Sequence, residues 1–484
     1  MNKLILILVA FTSLILSAHE KPNIVWIFID DQGPEWGVYG NELVSTPNLD
    51  SIAADGVLYK NAFAVSPVCS PSHTSLFTGT YPTKLGCSHH RSHYIDKLPG
   101  QFGNIEEILS ANGYFTVNMI SEGDNWERIL HGASGKTDLN YNRDVKKAVA
   151  GQSGARFFDH VHSFKNRELS SYFSGGVWNE RKENQPFFAY INIETGKAHG
   201  FGYGNKWAKE NHLSATGKVE KVPPYLVNNQ AMKKKLASIY DSVSYTDVVV
   251  GHFLKALKSS GHYENSMIFI AADHGFAIMR HKQTLYDSGL KVPMLIKFPK
   301  SKNKGVENRL VSLIDVVPTT LSVAGISVDK YFSGVDLTSG FDRQEVFSAR
   351  DGVDNIFDRS RSVRNSKYRL IVHDYPELPY LNGNYAQKRL LLSEMKSAAE
   401  HKLLNEVQLR FLSSQKPRYE LYDIENDPFE IDNLADRSEF KEVKETLLGK
   451  LKEWQAANGD SFIDFRKNGK PLKANTKVSS LIPK

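Results

Sequence analysis

Three segments of this chain carry residue types that could do chemistry together. Asp30-Asp31 ends the apolar run Ile24 to Ile29, Asp273-His274-Gly275 ends the run Met267 to Ala272, and Cys69-Ser70-Pro71-Ser72-His73 lies between them. Each run is short, continuous and rich in β-branched and aromatic residues, the pattern of a parallel strand buried on both faces. Ligand sites in open α/β sheets gather at the carboxyl ends of strands. Carboxylates at two such ends repel each other unless a cation sits between them, so a metal site is the first expectation. Either doublet alone is also an ordinary turn sequence, since Asp and Gly are turn residues. The Cys segment tips the balance. Pro71 with Ser72-His73-Thr74-Ser75 reads as the first turn of a helix, where the missing N–H of Pro is harmless. Cys69 then stands at a helix N-terminus, where free N–H groups favour negative charge. A thiol there is either a nucleophile or a buried structural cysteine.

Taken in order, these segments resemble the type I, formylglycine-dependent sulfatases of the alkaline-phosphatase-like superfamily, with the feel of bacterial polysaccharide sulfatases. The resemblance runs through Pro22-Asn23-Ile24-Val25 to Asp31, Thr46-Pro47-Asn48-Leu49-Asp50, Cys69 to Pro82, Pro186-Phe187-Phe188-Ala189-Tyr190 and Asp273-His274-Gly275. It continues through Lys282 to Pro293, Asp315 to Thr320, and Glu420-Leu421-Tyr422-Asp423. It implies an α/β fold, an alkaline-phosphatase-like sandwich whose large central mixed sheet is flanked by helices, with a smaller C-terminal α+β domain. It further implies that Asp30, Asp31, Asp273 and His274 hold one divalent cation, usually Ca2+, together with Cys69 modified to formylglycine. The hydrate of that group would supply the oxygen that attacks sulfur, and Lys282 would neutralise sulfate oxygens. A formylglycine-generating or sulfatase-maturating enzyme is therefore an implied partner. His274 is the ligand that suits calcium least, because calcium prefers oxygen donors.

The chain departs from the family pattern at three places. His73 stands where the Cys-x-Pro-x-Arg motif has Arg. After Gly113-Tyr114-Phe115-Thr116 the chain carries Ile120-Ser121-Glu122-Gly123 in place of Gly-Lys-Trp-His. Gly196-Lys197 occupies the place of a Pro-His pair, with His199 two residues late. We expect His73 to stay near the nucleophile, and Lys197 or His199 to protonate the leaving alcohol. An imidazole can do this near neutral pH, whereas a lysine must first be desolvated. His89, His90 and Arg91 lie just beyond the Cys69 helix and are candidates to bind substrate, Arg91 through two parallel N–H groups. The competing reading of that His-rich stretch is a solvated surface.

The elements that must position these groups are legible in outline. Residues 1–18 read as a signal peptide, with Lys3 before an apolar stretch and Ser17-Ala18 near a cleavage point, which predicts a periplasmic or secreted protein. Residues 19–340 read as the catalytic domain and 341–484 as the smaller one. No later stretch is long enough to span a membrane. Leu236, Ile239, Tyr240, Val243, Val250, Phe253, Leu254 and Leu257 recur at helical spacing. Residues 200–229, broken by Gly202, Gly204 and Pro223-Pro224, read as a long active-site loop. The second domain should begin with a strand at Glu345-Val346-Phe347, add one at Tyr368 to Val372, contain a helical piece between Tyr385 and Phe411, and end with a helix from Phe440 to Trp454. Two cysteines argue against a disulfide scaffold, although an unconverted Cys69 could pair with Cys87. A net charge of +6, from 60 basic and 54 acidic residues, is too small to imply nucleic acid.

The leading expectation is an exported sulfatase acting on ester sulfate of a carbohydrate, with carrageenan-type sulfated galactan as the first candidate. The alternatives are a phosphoester or phosphonate hydrolase of the same fold and a non-catalytic glycan-binding relative.

Overall fold

The structure, a computed structural model, describes residues 20–90, 103–121, 160–164, 178, 181–197, 201–353, 358–380, 392–460, 466–467 and 470–471. Residues 1–18, expected from sequence to be a signal peptide, and Arg91 and His199 lie outside the described residues.

Nine strands build a central mixed sheet: β1 (Asn23–Ile29), β2 (Val57–Phe63), β3 (Phe115–Ser121), β4 (His160–Phe164), β5 (Phe187–Ile193), β6 (Ser266–Ala272), β7 (Lys291–Val292), β8 (Met294–Lys297) and β9 (Gly305–Ser312). Their order is β4-β3-β5-β1-β6-β8-β2-β7, with β9 paired to β2. The two apolar runs are β1 and β6, adjacent and parallel, with Ile29 opposite Ala272. Every residue of both is buried, as continuous apolar runs require when helices cover both faces. Trp26 anchors the centre: its ring meets Phe77, Phe188 and Phe269 edge-on, and its indole N–H donates to Thr320 Oγ1 at 3.2 Å.

The helices that matter to the site are α1 (Pro47–Asp55), α2 (Cys69–Thr78), α3 (Phe201–Glu210), α4 (Gln230–Ser259) and α5 (Val316–Val323). The expected stripe lies on α4, with Leu236, Ile239, Val243, Val250, Phe253, Leu254 and Leu257 buried and Tyr240 packed at the margin. Asn229 caps it, its side chain accepting from the Met232 N–H at 2.8 Å.

Helix α3 corrects the reading of residues 200–229 as loop throughout. Gly204 is not a breaker there. A Cβ on it would lie 2.7 Å from the Ser242 Cα, so glycine allows α3 to lie directly against α4. The Asp241 carboxylate on α4 then fixes the following turn, accepting from the Ala215 N–H at 2.7 Å and the Ser214 hydroxyl at 2.9 Å.

A second, antiparallel sheet runs β10 (Val346–Arg350), β11 (Ser360–Arg364), β12 (Tyr368–His373) and β13 (Tyr419–Asp423) in order. Helix α6 (Lys441–Ala457) covers it through Leu447, Leu451 and Trp454, whose ring stacks on Phe347 at 5.3 Å. The helical piece expected between Tyr385 and Phe411 is two helices, Leu392–Glu400 and Glu406–Leu412, the second opened by an Asn405/Gln408 capping box. Among the described residues no helix is long and apolar enough to cross a membrane.

The second sheet grips the first through buried charge. Arg364 Nε donates to Asp287 Oδ1 at 3.0 Å, and Arg369 pairs with both Asp287 and Glu430. Burial alone would raise the Asp287 pKa, but Arg364 and Arg369 hold it below the ordinary carboxylate range. Asp287→Ala should therefore cost about 3–5 kcal/mol, because it strands the buried Arg364 guanidinium and leaves Arg369 with Glu430 alone. The folded-state pKa is depressed, so this stabilisation is full above the ordinary carboxylate pKa and fades as pH falls below it. Urea denaturation of wild type and variant at neutral and acid pH checks both: the gap should narrow in acid.

Candidate active site

Two strand ends and a helix start define the site. Asp30 and Asp31 follow β1, and Asp31 adopts a left-handed φ of 58°. That turn aims its N–H at Asp273 Oδ1, 2.8 Å away at the end of β6. Ser72 on α2 donates its hydroxyl to the Asp273 carbonyl at 2.7 Å, which sets Cys69, the first residue of α2, over the same point. Gly196, just past β5, permits the closure. A Cβ there would stand 2.1 Å from the Asp30 carbonyl oxygen.

Around this point Asp31, Cys69, Asp273 and His274 bring one donor atom each within 4.8 Å of one another, all buried. Cys69 Sγ lies 3.3 Å from His274 Nε2 and 3.8 Å from Asp31 Oδ1. Lys282 joins them, its ammonium donating to Asp31 Oδ1 at 2.6 Å and to Cys69 Sγ at 3.1 Å.

The state of His274 tests whether a cation fits. Its Nδ1 faces the Gly275 carbonyl at 2.8 Å, and a carbonyl can only accept, so Nδ1 carries the proton. Burial holds the His274 pKa down, and although Asp273 opposes this the net shift is downward, so the ring is neutral at pH 7. Its Nε2 lone pair then points at Asp31 Oδ1, 3.3 Å away, and Asp273 Oδ2, 3.2 Å away. A lone pair facing two carboxylate oxygens is repulsive in protein interior and attractive around a divalent cation. The residues therefore fit a metal, with the outer nitrogen of the histidine fixed by a backbone carbonyl as ligating imidazoles usually are.

Asp30 is drawn elsewhere. Its Oδ2 pairs with the Lys197 ammonium at 2.5 Å, and its Oδ1 meets the Asn192 amide and His73 Nε2, each at 3.1 Å. His73 stands edge-on to Phe28 at 4.9 Å, with Nδ1 3.4 Å from the Tyr190 hydroxyl. Lys197 is shared between Asp30 and Glu194, each at 2.5 Å. Asn192, Tyr190 and Glu194 escaped the sequence reading, although a buried Asn inside the otherwise apolar β5 was the available signal.

His89 and His90 are buried, and the His90 N–H donates to the Gly352 carbonyl at 3.4 Å, which rules out a solvated surface for this pair. Ser88 hydrogen-bonds Asp351 alongside, so the segment is braced by the second sheet. Cys69 and Cys87 are both free thiols and form no disulfide; burial pushes the Cys87 thiol pKa up and keeps it protonated.

A nucleophile position on a helix start, flanked by strand-end carboxylates and a lysine, defines a hydrolase of the alkaline-phosphatase-like fold. Residues 22–326 match the sulfatase family model, and the chain belongs to the sulfatase family: it is a sulfuric ester hydrolase. An ulvan-active sulfatase of Formosa agariphila is 30% identical over 482 residues, covering 92% of this chain and 76% of that one. Among solved structures, BT4656 in complex with its substrate D-glucosamine-2-N,6-O-disulfate is similar at a TM-score of 0.60 and 17% identity, over 91% of this chain and 99% of that one. Ps i-CgsB in complex with k-i-k-neocarrahexaose is similar at 0.60 and 17%, over 94% and 96%. These two likenesses speak to fold alone.

If the cluster binds a cation, chelation should lower the melting temperature of wild type and added Ca2+ or Zn2+ should restore it, since a ligand at one hundred times its Kd stabilises by about 2.7 kcal/mol. Asp31→Ala should melt at one temperature under both conditions. Equal responses of wild type and Asp31→Ala in differential scanning calorimetry would remove the metal from this place.

Proposed function

We propose that the enzyme is exported to the periplasm or beyond and removes ester sulfate from a sulfated polysaccharide or its oligosaccharides. The observation that carries this reading is the meeting of Lys282, Cys69 and the Asp31/Asp273/His274 set at one buried point. Cys69 as formylglycine would supply a hydrated aldehyde oxygen as nucleophile, and a divalent cation held by Asp31, Asp273 and His274 would supply Lewis acidity. The protein's own groups do the rest. Lys282, only 4% exposed, holds a fixed positive charge beside the nucleophile, where charge builds on the sulfuryl oxygens. Lys197 keeps Asp30 paired, so that His199, two residues further on, is our candidate to protonate the leaving alcohol. His89, His90 and Arg91 would contact the sugar.

Ulvan is the first substrate to try, on the strength of the 30% identical relative, ahead of the carrageenan expected from sequence. Desulfation of ulvan, carrageenan and glycosaminoglycan oligosaccharides, a small aryl sulfate and a phosphate monoester by the purified enzyme tests this. A preference for phosphate overturns it. Mass spectrometry of the Cys69 peptide should show a loss of about 18 mass units on conversion of thiol to aldehyde. Lys282→Ala should lower kcat about 10²–10³-fold with KM less changed. Arg91→Ala should cost activity on the oligosaccharide and spare the aryl sulfate, because a site built on hydrogen bonds penalises their loss only in substrates that reach it.

A further inference from the structure

Behind the loop that carries Lys282 lies a separate cavity of about 590 Å3, lined from both domains. Its wall includes Glu35 from the segment after β1, Lys291 on β7, and Tyr225, His281 and Phe429. None of Asp31, Cys69, Asp273, His274 and Lys282 lines it. His281 and Lys282 are chain neighbours, yet the Lys282 ammonium reaches Cys69 while His281 Nε2 meets the Tyr225 hydroxyl at 3.1 Å. The volume is that of a small-molecule site, and desulfation at Cys69 makes no use of it.

Three groups on this wall have binding capacity that the protein leaves unspent. Glu35 Oε2 is buried and receives no hydrogen bond, although native proteins almost always give such an atom a partner. Burial pushes the Glu35 pKa up to about 7, against the pull of its own N–H and of Lys291, so near neutrality this carboxyl can both accept and donate. Among the described residues the Lys291 ammonium makes no hydrogen bond or ion pair, the carboxylate beside it, Asp287, being held by Arg364 and Arg369. Phe429 keeps 46% of its surface exposed, its ring edge-on to Tyr225 at 6.2 Å.

Given a sulfated polysaccharide as substrate, the reading on which this step rests, we propose that the cavity binds an acidic sugar ring, a unit of the chain other than the one whose ester is cleaved. Glu35 would pair with ring hydroxyls, Lys291 with the anionic substituent, and Phe429 with the apolar C–H face. A pyranose carrying one anionic group presents all three features on one ring. An inorganic anion answers Lys291 alone, and a neutral sugar leaves the ammonium unmatched. Small-molecule sites combine apolar and aromatic walls with a few placed polar groups in this way, and an exposed aromatic at a cavity rim is a common mark of them. Sulfate and carboxylate substituents share the chemistry that Lys291 recognises.

The test is equilibrium binding of D-glucuronate, D-glucose 6-sulfate and D-glucose to the full chain by titration calorimetry. Wild type should bind at least one of the two anionic sugars about tenfold or more tighter than glucose, as a hydrogen bond to a charged group commonly yields. Tighter binding of glucuronate names carboxylate as the recognised substituent, and tighter binding of glucose 6-sulfate names sulfate. Lys291→Met should abolish the preference over glucose, and Phe429→Ala should weaken the favoured sugar about tenfold. No measurable binding, equal binding of all three sugars by wild type, or wild-type affinity in both variants overturns the proposal. Should Lys291→Met fail to fold, Phe429→Ala, which trims a ring nearly half in solvent, carries the comparison. Glucuronate has no ester sulfate, so its binding is independent of turnover. Sugar binding that both variants weaken, in a chain that desulfates nothing, would refute the sulfate-ester reading alone, and desulfation without sugar binding here would refute this site alone.

Discussion

Everything in this structure answers to the burial of three carboxylates at the ends of two neighbouring strands. Asp30, Asp31 and Asp273 are 0%, 2% and 0% exposed. Moving one such charge out of water costs several kcal/mol even after relaxation, so each must be met by opposite charge or by donors. The sheet order supplies the proximity, because β1 and β6 are parallel neighbours whose last residues pair. The left-handed turn at Asp31, the glycine at 196 and the Ser72 bond to the Asp273 carbonyl then hold the oxygens within ångströms of each other. Such a cluster is stable only with cations in it, and that same requirement makes it a place where an anionic ester can be held and polarised.

The second sheet belongs to this arrangement. Lys282 sits on the connection between β6 and β7, and its neighbour Arg280 donates to the backbone carbonyls of Phe429 and Glu430 beyond β13. The Arg280 guanidinium also lies over the rings of Tyr286 and Tyr225, at 3.8 and 4.5 Å. Tyr286 in turn donates to Glu420 on β13 at 2.7 Å. Burial raises the Glu420 pKa, but hydrogen bonds from His373, Tyr422 and Tyr286 bring it down to about 2, so the carboxylate stays charged and the network stays assembled. The loop that aims Lys282 is thereby clamped at both flanks. A lysine fixed in advance stabilises developing charge without reorganising, which is where electrostatic catalysis gains most.

What the sequence made legible follows from what kind of burial each element has. β1, β6 and α4 read correctly because their apolar residues alone determine their placement. β11, Ser-Arg-Ser-Val-Arg, carried no apolar signal, yet all five residues are buried. Its arginines are solvated by Asp351, just past the neighbouring strand β10, and by Asp460 and Asp287 from distant parts of the chain, and no pattern within β11 encodes such pairing. Helix α3 was hidden for the opposite reason, its Gly204 being a mark of close helix contact that read as a break. At the site, residue types were legible and partnerships were not. The grouping of Asp30 with Lys197, His73 and Asn192, apart from Asp31, depends on the turn at Asp31 that sends adjacent carboxylates to opposite sides.

That separation bears on how this chain tolerates histidine at position 73. A guanidinium offers five donors in a rigid fork and can never be a ligand, whereas an imidazole offers at most two and can bind metal through a lone pair. Replacing one by the other beside a buried carboxylate therefore demands compensation from elsewhere. Lys197 provides part of it on Asp30 Oδ2, and Asn192 provides part on Oδ1. Both come from the segment that ends β5 and follows it, and Lys197 lies in the stretch that departs from the family pattern. The changes at positions 73 and 197 thus converge on one carboxylate and form one coupled alteration. Decay of an active site would scatter its changes without regard to charge. Here they are matched around Asp30, which is the behaviour of a site still held to an electrostatic requirement.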